Sequence, residues 1–249
     1  MSIETSNYST EQWDLDEALM SLGFKTTGLT ASFRVLEEPT FFRSVPDNVS
    51  GKNTIARHQL IGDFELSPEK PLEQVALSFT PGGLRVNWEN CGRLADLMAR
   101  YFAPLCANQA DTVFSAPDRL VNETRHAISF IANELIENAM KFHHNPTLPL
   151  SLSVRLHPSR LIITVSNSLT LPAARRFEAH LVELLAGDPG EQLIQKMEEN
   201  ALDLEGISSG LGILTILSDY QTKAGWKFER NPGLPDDVMV YSMVQLALN

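Results

Sequence analysis

Asn133-Glu-Leu-Ile-Glu-Asn-Ala-Met-Lys-Phe142 lies inside a long apolar pattern that predicts a helix over residues 118–143. A helix turns roughly 100° per residue, so positions i, i+4 and i+7 share one face. Glu134, Asn138 and Lys141 therefore form a single stripe of carboxylate, amide and ammonium. That trio suits magnesium-triphosphate chemistry: a base, a hard oxygen ligand and a phosphate-pairing cation. Ile128, Ile131, Leu135, Ala139 and Phe142 form a neighbouring apolar stripe, ready to bury against a sheet. On spacing alone the polar stripe serves equally as an ordinary solvated face. Asn138 argues for more, because asparagine is a weak helix former and here stands mid-helix.

Outward from this helix, strands and helices interleave. Alternating apolar positions predict strands at 29–36, 59–66, 75–79, 84–88, 151–156 and 161–165, with C-terminal strands near 226–229 and 238–248. Helical spacing predicts helices at 11–22, 90–102, 172–186 and 191–202, and one from Ile213. Pro46 to Asn53 is loop chemistry, and Pro81-Gly-Gly83 marks a turn. The break at Ser67-Pro-Glu-Lys-Pro71 separates an N-terminal extension, 1–71, from a main domain, 72–249. Mixed hairpins and helix pairs favour an α+β layer of helices on one face of a mixed sheet over a doubly wound parallel fold. Neither a Gly-x-Gly-x-x-Gly turn after an early strand nor a Gly-x-x-x-x-Gly-Lys-Ser/Thr loop occurs.

Composition narrows the function classes. The net charge of −11, from 31 acidic and 20 basic residues, opposes a general nucleic-acid or anionic-membrane surface. Two cysteines, Cys91 and Cys106, make no disulfide framework. The N-terminus lacks a signal-peptide pattern, and no apolar run approaches the ~20 residues that span a bilayer. A cytoplasmic protein is expected. No Cys/His cluster has zinc spacing. His126 is expected to be a partly exposed helix residue, and His143-His144 to cap the helix end as cations favoured by its dipole.

A second motif, Ser208-Ser-Gly-Leu-Gly-Ile213, precedes an apolar helical pattern of Leu214, Ile216 and Leu217. Glycines let backbone N–H groups approach an anion, and a helix N-terminus favours negative charge. Together, Glu134-Leu-Ile-Glu-Asn138-Ala-Met-Lys141-Phe142 and Gly210-Leu211-Gly212 resemble the N-box and the Gly-Leu-Gly turn of the GHKL superfamily of histidine-kinase-like ATPases. The resemblance covers roughly residues 72–249, and its layout is most similar to anti-sigma-factor and SiaB-like bacterial protein kinases. It implies a Bergerat-type ATP-binding fold, a two-layer sandwich of helices on a mixed sheet. It also implies ATP and Mg2+ as ligands. Glu134 would act as the base, Asn138 would hold magnesium, Lys141 would approach the phosphates, and Gly210, Leu211 and Gly212 would line them.

The chain departs from that family at two places. Where the pattern has Asp-x-Gly-x-Gly after a strand, this sequence has Asn167, with Leu169 and Leu171 at the glycine positions. Asn167 keeps a carbonyl acceptor for an adenine amino group but lacks the charge. A flexible lid is replaced by two amphipathic helical patterns, and residues 187–206 carry six acids against Lys196. That run is either a solvated face or a dock for a basic partner. The expected function is an ATP-binding switch that phosphorylates a Ser or Thr on a small regulatory protein. The alternative is a catalytically inactive module on the same fold that works by protein–protein interaction. An ATP-driven dimerising clamp is the third class. A regulatory protein partner is expected, nucleic acid and membrane are not, and a homodimer stays open.

Overall fold

The structure, a computed structural model, describes residues 58–66, 69–79, 89–109, 117–202, 211–220, 222–231 and 234–248. The expected helix at 11–22, the strands at 29–36 and 84–88, and both loops at 46–53 and 81–83 lie outside the described residues. So do Asp203, Glu205, Ser208, Ser209 and Gly210.

In chain order the elements are β1 (His58–Gly62), β2 (Glu73–Phe79), α1 (Glu89–Ala107), α2 (Pro117–Phe142), β3 (Leu150–His157) and β4 (Arg160–Thr170). They continue with α3 (Leu171–Ala186), α4 (Pro189–Leu202), α5 (Leu211–Ser218), β5 (Lys223–Asn231) and β6 (Leu234–Ala247). The class is α+β: helices pack on a six-stranded sheet of order β1-β5-β6-β4-β3-β2.

The sheet corrects one expectation. A mixed sheet was predicted, yet among the described residues every strand pair is antiparallel. The connections explain this. β3–β4 and β5–β6 are hairpins. Between β2 and β3 the chain passes through two helices, α1 and α2, and Cys91 Sγ lies 3.8 Å from Met140 Sδ. The start of α1 thus meets the end of α2, so the pair returns the chain to the end of the sheet it left. Three helices separate β4 from β5, and those strands do run in the same direction. β6 inserts between them, however, and pairs antiparallel with both.

Strand alternation sets the core. Leu161, Ile163, Val165 and Leu169 of β4 share one hydrophobic cluster with Ile128, Ile131, Leu135 and Ala139 of α2. These four α2 positions are at most 5% exposed, as the apolar stripe requires. α1 offers Cys91, Ala95, Ala99 and Ala103 at steps of four, all fully buried; such small side chains let helices approach closely. α1 also runs past its expected end at Phe102 and carries Pro104 inside its last turns. The lost backbone bond costs roughly 3 kcal/mol, which burial of Phe102, Ala103 and Cys106 offsets.

Among the described residues β1 forms one edge of the sheet and β2 the other. Gly62 ends β1 with φ of +68°, a left-handed conformation that glycine adopts without strain. The chain then crosses the end of the sheet. Asp63 N–H donates to Ala224 O at 2.9 Å, Arg160 donates to Glu65 at 2.6 Å and Glu69 at 3.1 Å, and Leu72 N–H donates to Leu156 O at 2.7 Å. No helix among the described residues is long and apolar enough to cross a membrane.

Candidate functional site

Two segments 78 positions apart meet at the polar stripe of α2. Gly212, in the first turn of α5, lies so close to Glu134 that a Cβ there would overlap its carboxylate and stand 2.7 Å from Glu134 Cδ. Only glycine permits this approach with Glu134 in its present position. Eight residues later, Tyr220 stacks on Phe130, with ring centroids 5.4 Å apart and planes 23° from parallel. Gly212 faces Glu134 and Tyr220 faces Phe130, so α5 runs antiparallel to α2. Its N-terminus therefore points toward the next turns of α2, which carry Asn138 and Lys141. A helix N-terminus presents unpaired N–H donors and about half a positive charge. Asn138 and Lys141 follow Glu134 one and two turns along the same stripe of α2.

The electrostatics of Glu134 follow from this packing. The side chain is half-buried. Loss of water pushes its carboxyl above the ordinary carboxylate value, and the negative charge of Glu137 adds to the rise. Glu137 accepts a hydrogen bond from Asn133 Nδ2 at 2.8 Å, which keeps it near that place. Asn138 is half-buried and Lys141 is exposed. The Lys141 ammonium lies 5.4 Å from the centre of the Phe142 ring. Phe142, expected in the buried stripe, is 56% exposed. It is the last residue of α2.

Asn167, expected just beyond a strand ending at Val165, lies within that strand. β4 continues through Ser166 to Thr170, and Asn167 pairs with Val240 of β6. It is buried between Val165 and Leu169 on the helix-facing side of the strand. Leu169 belongs to the core, and Leu171 opens α3 directly, with Thr170 as N-cap accepting from Ala173 N–H at 3.3 Å. The two expected helices of the insert are present as α3 and α4. Gly210 lies outside the described residues, and Leu211 is half-buried at the start of α5.

The end of α2 is tied to β4 beside Asn167. His143 does not extend the helix as a charged cap; it is buried, and its Nδ1 accepts from Ser168 N–H at 3.2 Å. His144 N–H donates to Ser168 O at 2.9 Å, and Asn145 N–H donates to Ser168 Oγ at 2.9 Å. Asn145 Nδ2 donates to Asp237 at 2.7 Å. β3 ends its pairing at Ser151–Ser166, so residues 143–145 satisfy the strand edge beyond it. His126 is exposed on α2, as expected.

Phe130, Tyr220 and Ser168 escaped the sequence reading. Phe130 stands four residues before Glu134, a spacing that could have drawn attention to it; the others are revealed only by tertiary packing. No protein-family model matches the chain, and no curated protein does. Among the described residues no group of three or more His, Cys, Asp or Glu side chains could hold a metal ion. A hard cation here would take the Asn138 oxygen as its protein ligand and complete its shell with phosphate and water.

Proposed function

We propose that this protein is a GHKL-type, ATP-binding switch that transfers phosphate to a Ser or Thr of a protein partner. The observation that carries the reading is the seating of the α5 N-terminus on Glu134 through Gly212. Glu134 of the first motif and Gly212 of the second are in contact, an approach that a Cβ at position 212 would block. Lys141 and the α5 N–H groups would hold the phosphates, and Asn138 would hold magnesium. ATP supplies the phosphoryl group there, and the metal screens its charge.

Glu134 has the placement and the chemistry of a general base. Its raised carboxyl value makes it a better proton acceptor for a partner's hydroxyl than a solvated glutamate. The carboxylate form is required, so the transfer rate rises with pH through that raised value. The remaining residues position and neutralise charge, which is where most catalysis of phosphoryl transfer arises. Labelled ATP incubated with candidate partner proteins tests the assignment. Glu134→Gln keeps the shape against Gly212 and removes the base; transfer is expected to fall by about 10²–10⁴-fold. Transfer at the wild-type rate in that variant rules Glu134 out as the base.

One observation favours a second reading, an interaction module on the same fold that transfers nothing. β4 runs unbroken through Asn167, and Leu169 fills the core where a flexible turn would open over adenine. Partner binding that persists without any detectable binding of Mg-ATP would select this reading.

A further inference from the structure

The outward face of α4 combines exposed apolar side chains with acids. Ile194 is 61% and Met197 55% exposed, and Ala201 continues their stripe two turns along. The inward side is formed by the half-buried Gln192, Leu193, Lys196 and Asn200, so the stripe is not the helix's core face. α3, directly before it, leaves Val182 59% and Leu185 38% exposed. Four of the ten large hydrophobics exposed among the described residues thus fall on two consecutive helices. Ile194 and Met197, one turn apart with Ala201 in the same stripe, make an exposed apolar strip on one helix, whereas singly scattered apolar residues need no explanation.

The charge around the stripe states what kind of partner fits. On a helical wheel Glu191 and Glu198 lie within about 60° of Ile194, both on the side away from Met197. Neither makes an ion pair with a described residue. Lys196 is the single basic side chain of α4, and it is already committed to Glu199 at 3.0 Å. A partner helix with an apolar strip bordered by lysine or arginine would bury Ile194 and Met197 and meet those carboxylates. A second copy of this chain fits less well, because it would bring the same acids and a net charge of −11.

We infer that the outward face of α4 is a docking site for a basic amphipathic helix of a partner protein, centred on Ile194 and Met197 and bordered on one side by Glu191 and Glu198. The site is independent of the nucleotide reading, since it uses none of the residues of the α2–α5 surface.

The test uses the full chain and two fluorescein-labelled 18-residue probes, one of leucine and lysine at helical spacing and one of leucine and glutamate. Fluorescence anisotropy is expected to show binding of the leucine/lysine probe and none of the leucine/glutamate probe. Ile194→Asp with Met197→Asp should weaken that binding at least about tenfold, since two apolar anchors are lost. Glu191→Lys with Glu198→Lys should weaken it too and flatten its salt dependence. All four positions are exposed, so both variants should keep a cooperative thermal melt. Undiminished binding in the Ile194/Met197 variant overturns the site, because attraction would then come from the overall negative charge alone. Equal binding of both probes, or of neither, overturns it as well. So does sedimentation showing that the wild type self-associates through this face and the double aspartate variant does not.

Discussion

At Gly212 a single missing carbon sets the geometry of the site. Alanine there would overlap the Glu134 carboxylate. That carboxylate is the free end of a flexible side chain, so the cost lies at the low end of the ~1–3 kcal/mol typical of overpacking. The expected result of Gly212→Ala is a fold that survives with Glu134 turned out toward water. An NMR titration of the Glu134 carboxyl should find its pKa above the ordinary 4.5 in the wild type and back toward it in the variant. An unchanged value would mean that the carboxylate does not rest on α5. His157 offers a second residue-scale measurement. It is fully buried, and burial, then Arg160 and Arg155, hold its pKa below 6.5, against the opposing pull of Glu69, whose carboxylate is 3.6 Å from Nδ1. Its neutral form is the one the fold accepts. That contribution to stability is complete above pH 6.5 and is lost as pH falls through the lower native value. Denaturant melts of wild type and His157→Gln between pH 8 and 5 should show a steeper loss in the wild type; parallel curves would count against a depressed His157.

At the scale of elements, β4 shows where sequence and structure part. Ser166-Asn-Ser168 has the composition of a turn, because serine and asparagine compete for backbone hydrogen bonds. The segment is nonetheless strand, held by pairing with Val240 and Met239 of β6, about 70 residues away. Local chemistry cannot register a partner so distant, and so Asn167, expected after the strand, stands in the ladder. By contrast α2, α3 and α4 were legible almost to their ends, because helical periodicity is written in neighbouring residues. The polar stripe was legible for the same reason. Its meeting with α5 was not, since nothing in the chain between them states that Phe130 and Tyr220 stack. β4 also carries an element-scale prediction. Thr164 is buried, and its hydroxyl has no hydrogen-bond partner. Thr164→Val keeps the shape and the strand preference while removing that group, so stability should rise by about 1 kcal/mol. A loss of stability on that scale in denaturant melts would show that the hydroxyl is satisfied after all.

Across the whole molecule, the antiparallel sheet acts as a platform that presents α2 with its apolar flank down and its polar stripe free. The predicted class and layering carried over, whereas the predicted mixed sheet did not, because the insertion of β6 between β4 and β5 is a property of the complete topology. α1 fixes α2 from one side, the His143–Ser168 contacts fix its end, and α5 closes on the stripe. These constraints converge on the face that bears Glu134, Asn138 and Lys141. The proposed function requires that this face bind the phosphates of Mg-ATP. Calorimetric titration of the full chain and of Asn138→Ala with Mg-ATP tests it most directly. Saturable binding is expected to the wild type, weakened at least about tenfold in the variant, while both proteins keep a cooperative melt. No heat of binding to the wild type, or equal affinity in the two proteins, would contradict it.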